Sequence, residues 1–169
     1  RMGCKNNPDI TAAFCGFIKE GTVVSGIEDL ETNYVTDFTI SEDTLFISVY
    51  EFGFTATFTD EDESFSFTEK TNPYYVFYNT DAFGFKLIHE NNEMPEAPKK
   101  NHYKFNQWIP TDSYADIISE DGKTMYMLYD DEIFIAEYIP DKYTLSFTNT
   151  GDTTLSPITK AYGTQFNAF

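Results

Sequence analysis

Residues 45–59 read Leu45-Phe46-Ile47-Ser48-Val49-Tyr50-Glu51-Phe52-Gly53-Phe54-Thr55-Ala56-Thr57-Phe58-Thr59. Leu45, Ile47 and Val49 alternate with Phe46, Ser48 and Tyr50, a pattern for a strand buried on both sides. From there Phe52, Phe54, Ala56 and Phe58 face one way, and Gly53, Thr55, Thr57 and Thr59 face the other. A period of two belongs to a strand and not to a helix. Phe, Tyr, Thr, Val and Ile are also the residues that suit a pleated, half-buried surface. The run Asp60-Glu61-Asp62-Glu63 then reads as a turn, after which Phe65 and Phe67 alternate with serines.

The same alternation extends in both directions. Tyr34, Thr36, Phe38 and Ile40 share one face of a predicted first strand. Tyr74–Tyr78, Phe83–His89, Tyr103–Ile109, Tyr114–Ser119, Lys123–Tyr129, Glu132–Ile139, Tyr143–Thr148 and Lys160–Phe166 supply further strands. Asp121-Gly122, Asp130-Asp131 and Pro140-Asp141-Lys142 are short polar links of the kind that join antiparallel neighbours. The expectation is an antiparallel meander. One helix is anticipated, over Ile10–Lys19, with Asp9 as its cap, Gly21 beyond its end, and Ile10, Phe14 and Phe17 on one face.

Two halves resemble each other. Ile40-Ser41-Glu42-Asp43 recurs as Ile118-Ser119-Glu120-Asp121, and Phe54-Thr55-Ala56-Thr57-Phe58 meets Phe134-Ile135-Ala136-Glu137-Tyr138. Ser66-Phe67-Thr68 likewise meets Ser146-Phe147-Thr148. One domain over residues 1–169 is expected, with an N-terminal segment (1–26), a first half (27–90), a linker loop (91–102, with Pro95 and Pro98) and a second half (103–169). The fold class is all-β, closing into a barrel or stacking as a two-sheet sandwich. In size, meander and aromatic content the pattern resembles lipocalin-like and other calycin barrels. That likeness is one of architecture, since the Gly-x-Trp start of lipocalins is replaced here by Asn106-Gln107-Trp108.

Charge narrows the choice of function. Lysine and arginine number 11 against 28 aspartates and glutamates, a formal net charge of −17. So acidic a surface repels phosphate backbones and anionic membranes, which argues against nucleic-acid binding. No apolar stretch reaches the ~20 residues that span a bilayer as a helix. The chain opens at Arg1-Met2-Gly3-Cys4 without a visible signal peptide, as a processed form would.

Chemistry-bearing motifs are few. His89 and His102 flank the linker without metal-ligand spacing, and no nucleophile elbow or phosphate loop occurs. Glu51 and Glu137 lie within strands, but the repeat partner of Glu137 is Thr57, so a symmetric carboxylate pair fails. The acidic runs 60–63 and 130–132 lack the spacing of a calcium loop. No catalytic residue, metal or cofactor is assigned. Cys4 and Cys15 leave three readings open: a disulfide in an oxidising compartment, a lipid anchor on Cys4 after Gly3, or two unpaired thiols.

The aromatic load remains, 17 Phe and 12 Tyr with one Trp. In a barrel, Phe54, Phe58, Phe65, Phe67, Phe134 and Phe147 would line the interior, with Trp108 at its end or at a binding edge. The expected function is a non-enzymatic, secreted or cell-surface binding domain for a small hydrophobic molecule or a protein partner. An acidic module for a cationic partner and a carbohydrate-binding sandwich are the alternatives.

Overall fold

The computed structural model describes residues 5–6, 12–112, 117–126, 128–148, 151 and 155–167. In chain order the elements are β1 (Lys5–Asn6), β2 (Ala12–Lys19), α1 (Ile27–Asn33), β3 (Phe46–Phe52), β4 (Thr55–Asp60), β5 (Ser66–Lys70), β6 (Tyr74–Asn79) and β7 (Gly84–His89). They continue with β8 (Asn92–Glu93), β9 (Tyr103–Pro110), β10 (Thr124–Met125), β11 (Glu132–Pro140), β12 (Lys142–Leu145) and β13 (Ile158–Ala161). The fold is all-β. A five-stranded antiparallel sheet runs β1-β2-β3-β6-β7, and a four-stranded sheet runs β5-β4-β11-β9. Two small pairs, β8 with β10 and β12 with β13, complete it.

The deciding stretch forms one long bent ribbon. Residues 46–60 run against 66–79, pairing β3 with β6 in the first sheet and β4 with β5 in the second. Between the pairs Phe52↔Tyr74 and Thr55↔Lys70, two residues on one strand oppose three on the other. Such a mismatch bends and twists a ribbon. Pro73, at the bend, has no N–H to give a ladder. Buried Thr71 holds the corner: its backbone N–H donates to the Phe54 carbonyl at 3.0 Å, and its hydroxyl lies 3.1 Å from the same oxygen.

The bend lets one ribbon serve two cores. Ile47, Val49, Tyr75, Phe77 and Ile88 face a first core with Cys15, Ile18 and Val24. Helix α1 lies over it through Ile27 and fully buried Leu30, with Tyr34 continuing that face at helical spacing. The Asp29 carboxylate accepts the Ser25 N–H at 2.8 Å, which secures the helix start. On the opposite side Phe52, Tyr74 and Val76 meet the second sheet in a second core around Phe58 and Phe134.

Several expectations are corrected. The described strands form open sheets, with no closed barrel, and consecutive strands do not make a simple meander: β3 and β4 lie in different sheets, and β4 pairs with β11 in parallel. Ala12–Lys19 is a strand, not a helix. Gly16 and the Phe, Cys and Ile residues around it are poor helix formers, whereas β3 offers the segment a full ladder. Gly16 sits at a bulge in that ladder with φ of 152°, a conformation open chiefly to glycine. Residues 34–40 form no strand; the Val35 N–H donates to the Phe17 carbonyl, and Phe38 packs on Phe46 with ring centroids 4.5 Å apart.

The linker is docked. Trp108 Nε1 donates to the Pro95 carbonyl at 3.0 Å, and the Tyr138 hydroxyl to the Pro98 carbonyl at 2.5 Å. The Asp121-Gly122 turn forms as expected, with Gly122 at φ 69° and the Ser119 N–H donating to Thr124 at 2.9 Å. Of the matched repeat segments, Phe54–Phe58 and Phe134–Tyr138 both reach the second sheet as neighbours. Cys15 is buried, and Cys4 lies outside the described residues, as does most of the expected strand 114–119.

Phe58 is the fully enclosed centre of the second core. Phe58→Ala should therefore lower the unfolding free energy by about 3–5 kcal/mol. Thr57→Ala, on the outer face where its hydroxyl meets that of Thr68 at 2.9 Å, should cost under about 1 kcal/mol. Urea unfolding of the two variants checks this, and comparable losses would contradict the assignment of faces.

Candidate functional site

Six of the seven aromatics singled out from the sequence meet in the second core. The Phe58 ring lies 5.2 Å from Phe67, 5.1 Å from Phe134 and 4.9 Å from Trp108. Phe65 is 6.2 Å from Trp108, and Phe54 is 6.1 Å from Tyr74. Phe67 and Phe134 stack on Phe58, while Trp108 meets Phe58 and Phe65 edge-on, so the rings pack against one another in the core. Phe147 stands apart from that core, with its ring 6.3 Å from that of Phe166.

A second group of aromatics faces outward. The register Phe14↔Tyr50, Tyr50↔Val76, Val76↔Leu87 sets four side chains in a row across four strands. Directly opposed residues share a face. Phe17 joins Phe14 at 5.1 Å, Tyr50 lies 5.9 Å from Phe14, and Tyr78 meets Phe85 at 5.6 Å. The four-stranded sheet covers this face at its Phe52–Tyr74 end and part of Val76. The remainder is open: Phe17 is 45% exposed, Tyr50 42% and Phe85 80%. No acidic residue occupies any position of this open half, whereas Glu20, Asp43, Asp81 and Glu90 stand just beyond its strand ends. Strand β7, which carries Phe85 and Leu87, has β6 as its single neighbour among the described residues.

Sequence reasoning missed this face for a specific reason. Phe14 and Phe17 suit one face of the helix expected over Ile10–Lys19, and the alternation at 45–50 reads as a strand buried on both sides, which leaves Tyr50 no open face. The signal was present in Phe46, Ser48, Tyr50 and Phe52, which alternate with the buried Ile47 and Val49.

The acids are engaged elsewhere. Glu132, buried, accepts through Oε1 from the Thr111 N–H and hydroxyl, the Asp112 N–H and its own neighbour's N–H at Ile133, all within 3.1 Å. Asp131 accepts the Thr55 N–H at 2.7 Å. Asp60 accepts from the Ser64 N–H at 2.7 Å and its hydroxyl at 2.6 Å, and Lys100 lies 3.4 Å away. Burial pushes the Asp60 carboxyl up, but the bonds from Ser64 and Lys100 outweigh it and hold the group below the usual carboxylate range. Glu137 accepts from Asn106 and Gln107. Asp60, Asp131 and Glu132 secure strand ends and turns, and Glu137 braces β11 against β9.

His102 stacks on Tyr162 at 4.2 Å, with Nδ1 2.9 Å from the Tyr143 hydroxyl, while His89 ends β7 on the exposed surface. Among the described residues no group of three or more His, Cys, Asp or Glu gathers to hold a metal, and no helix is long and apolar enough to cross a membrane. Comparisons with protein-family models, with curated proteins and with solved structures gave no match.

Proposed function

We propose that this chain is a non-enzymatic binding module that takes a protein partner across the open half of its five-stranded sheet. The observation that carries this reading is the row Phe14–Tyr50–Val76–Leu87 with Phe17, Tyr78 and Phe85 around it, a largely aromatic surface on which Phe17, Tyr50, Tyr78, Phe85 and Leu87 stand exposed in a chain of net charge −17. Exposed apolar patches rimmed by polar residues mark interaction surfaces, and aromatic anchors carry much of their energy. The platform holds no acidic residue, Lys19 opposite Phe46 at its end is paired with Glu42, and its surroundings are acidic, so the complementary partner is apolar at its centre and basic at its rim. The packed rings of the second core occupy their own interior, which favours the outward face over an enclosed apolar site for the contact.

Selection of displayed random peptides against the folded chain tests this. Enriched peptides should combine Lys or Arg with aromatic or aliphatic residues, and their binding should weaken steeply with salt. Phe85→Ser should lower affinity tenfold or more while moving stability by no more than about 0.5 kcal/mol, because Phe85 packs little in the free protein. Acidic or uncharged winners, or indifference to Phe85→Ser, would overturn the reading.

The proposal includes an extracytoplasmic location, supported by the cysteines. The antiparallel register Lys5↔Phe14 and Asn6↔Ala13 brings the start of the chain alongside the strand that carries Cys15. Lys5, next in sequence to Cys4, pairs with Phe14, next in sequence to Cys15, and on that adjacency we propose a Cys4–Cys15 disulfide. Intact mass should rise by about 2 Da on reduction; an unchanged mass would remove both the bond and the compartment argued from it.

A further inference from the structure

A cavity of about 240 Å³ opens at the edge of the first core, and Tyr78, at the margin of the aromatic face, is one of the residues that line it. Its apolar floor is Ile18, Ile47, Val24 and Phe77, all buried. Lys86 lies at its wall, on β7 opposite Phe77, and is half-buried. The Lys86 ammonium donates to the Val24 carbonyl, and among the described residues it has no carboxylate within ion-pair distance. Of the two half-buried lysines among the described residues, Lys100 is ion-paired with Asp60 and Asp62, whereas Lys86 makes no ion pair. Lys19, the other cation lining the cavity, is already paired with Glu42 at 3.4 Å.

We propose that this cavity binds a small monocarboxylate with an apolar tail. An ammonium has three N–H donors, and one is taken by Val24, so two remain for an incoming carboxylate. The floor accepts an aliphatic or aromatic tail. The volume lies just under the ~300–1,000 Å³ of sites for drug-sized ligands, which sets the scale at a handful of carbons. Asp81, which also lines the cavity, disfavours a second negative charge and selects against dicarboxylates and phosphates.

The test is an NMR titration of the full chain at constant ionic strength with hexanoate, 1-hexanol and inorganic phosphate. Hexanoate should shift the backbone amides of Thr22, Val24 and Lys86 saturably. Hexanol should bind at least tenfold more weakly, and phosphate should leave these signals unmoved. Lys86→Met should erase the preference for the acid over the alcohol. No saturable shift at these amides, equal binding of acid and alcohol by the wild-type chain, or shifts confined to Phe14, Tyr50 and Phe85 would each overturn the proposal. The comparison of acid with alcohol needs no variant, so it decides the matter even if Lys86→Met fails to fold.

Discussion

Phe58 and Phe134 sit side by side on parallel strands, both fully enclosed, with their rings 5.1 Å apart. Strands β4 and β11 are far apart in sequence, with residues 61–131 between them. Their pairing, Ala56↔Glu132 through Asp60↔Ala136, is what makes the four-stranded sheet a joint product of the early and late chain. Remove it and β4–β5 becomes an isolated hairpin with a wet aromatic face, a form that is marginal in water. Trp108 and the docked loop at Pro95 and Pro98 pack onto the surface this pair creates.

The bent ribbon carries that constraint to the other sheet. A single ribbon passing the Phe52–Phe54 corner must present apolar residues to both faces on one side of the bend and to one face on the other. This is the transition seen in the sequence, from two-sided alternation at 45–50 to the phenylalanine–threonine alternation of 52–59. The consequence is partial overlap of the sheets. The second sheet covers Phe52 and Tyr74 and leaves Tyr50, Tyr78 and Phe85 exposed, so the open aromatic face follows from the geometry that builds the core.

Much of this was legible from residue order. Strands β3, β4, β6, β7, β9 and β11 follow their alternation, and six of the seven chosen aromatics converge. Which strands would pair was harder to read, because short links imply antiparallel neighbours only when the chain stays in one sheet. A corner made by Gly53-Phe54 and Thr71-Asn72-Pro73 looks locally like a continuing strand and an ordinary turn. The helix at Ile27–Asn33 was hidden by its length: Ile27, Leu30 and Tyr34 are too few positions to outweigh the surrounding period of two. Phe14 and Phe17 fit a helical face as well as a strand broken by a bulge, and Gly16 was the residue that distinguished them. The acidic turns carried another ambiguity, since Asp60, Asp131 and Glu132 look solvated in sequence yet accept backbone N–H groups that strand ends would otherwise leave unpaired.

Backbone NOE spectroscopy across β4 and β11 addresses the parallel pairing itself. Cross-strand contacts should advance together along both strands, linking Thr57 with Ile133, Phe58 with Phe134 and Thr59 with Ile135. Contacts that run in opposite directions along the two strands, or β11 signals that reach only β9, would contradict the architecture from its centre outward.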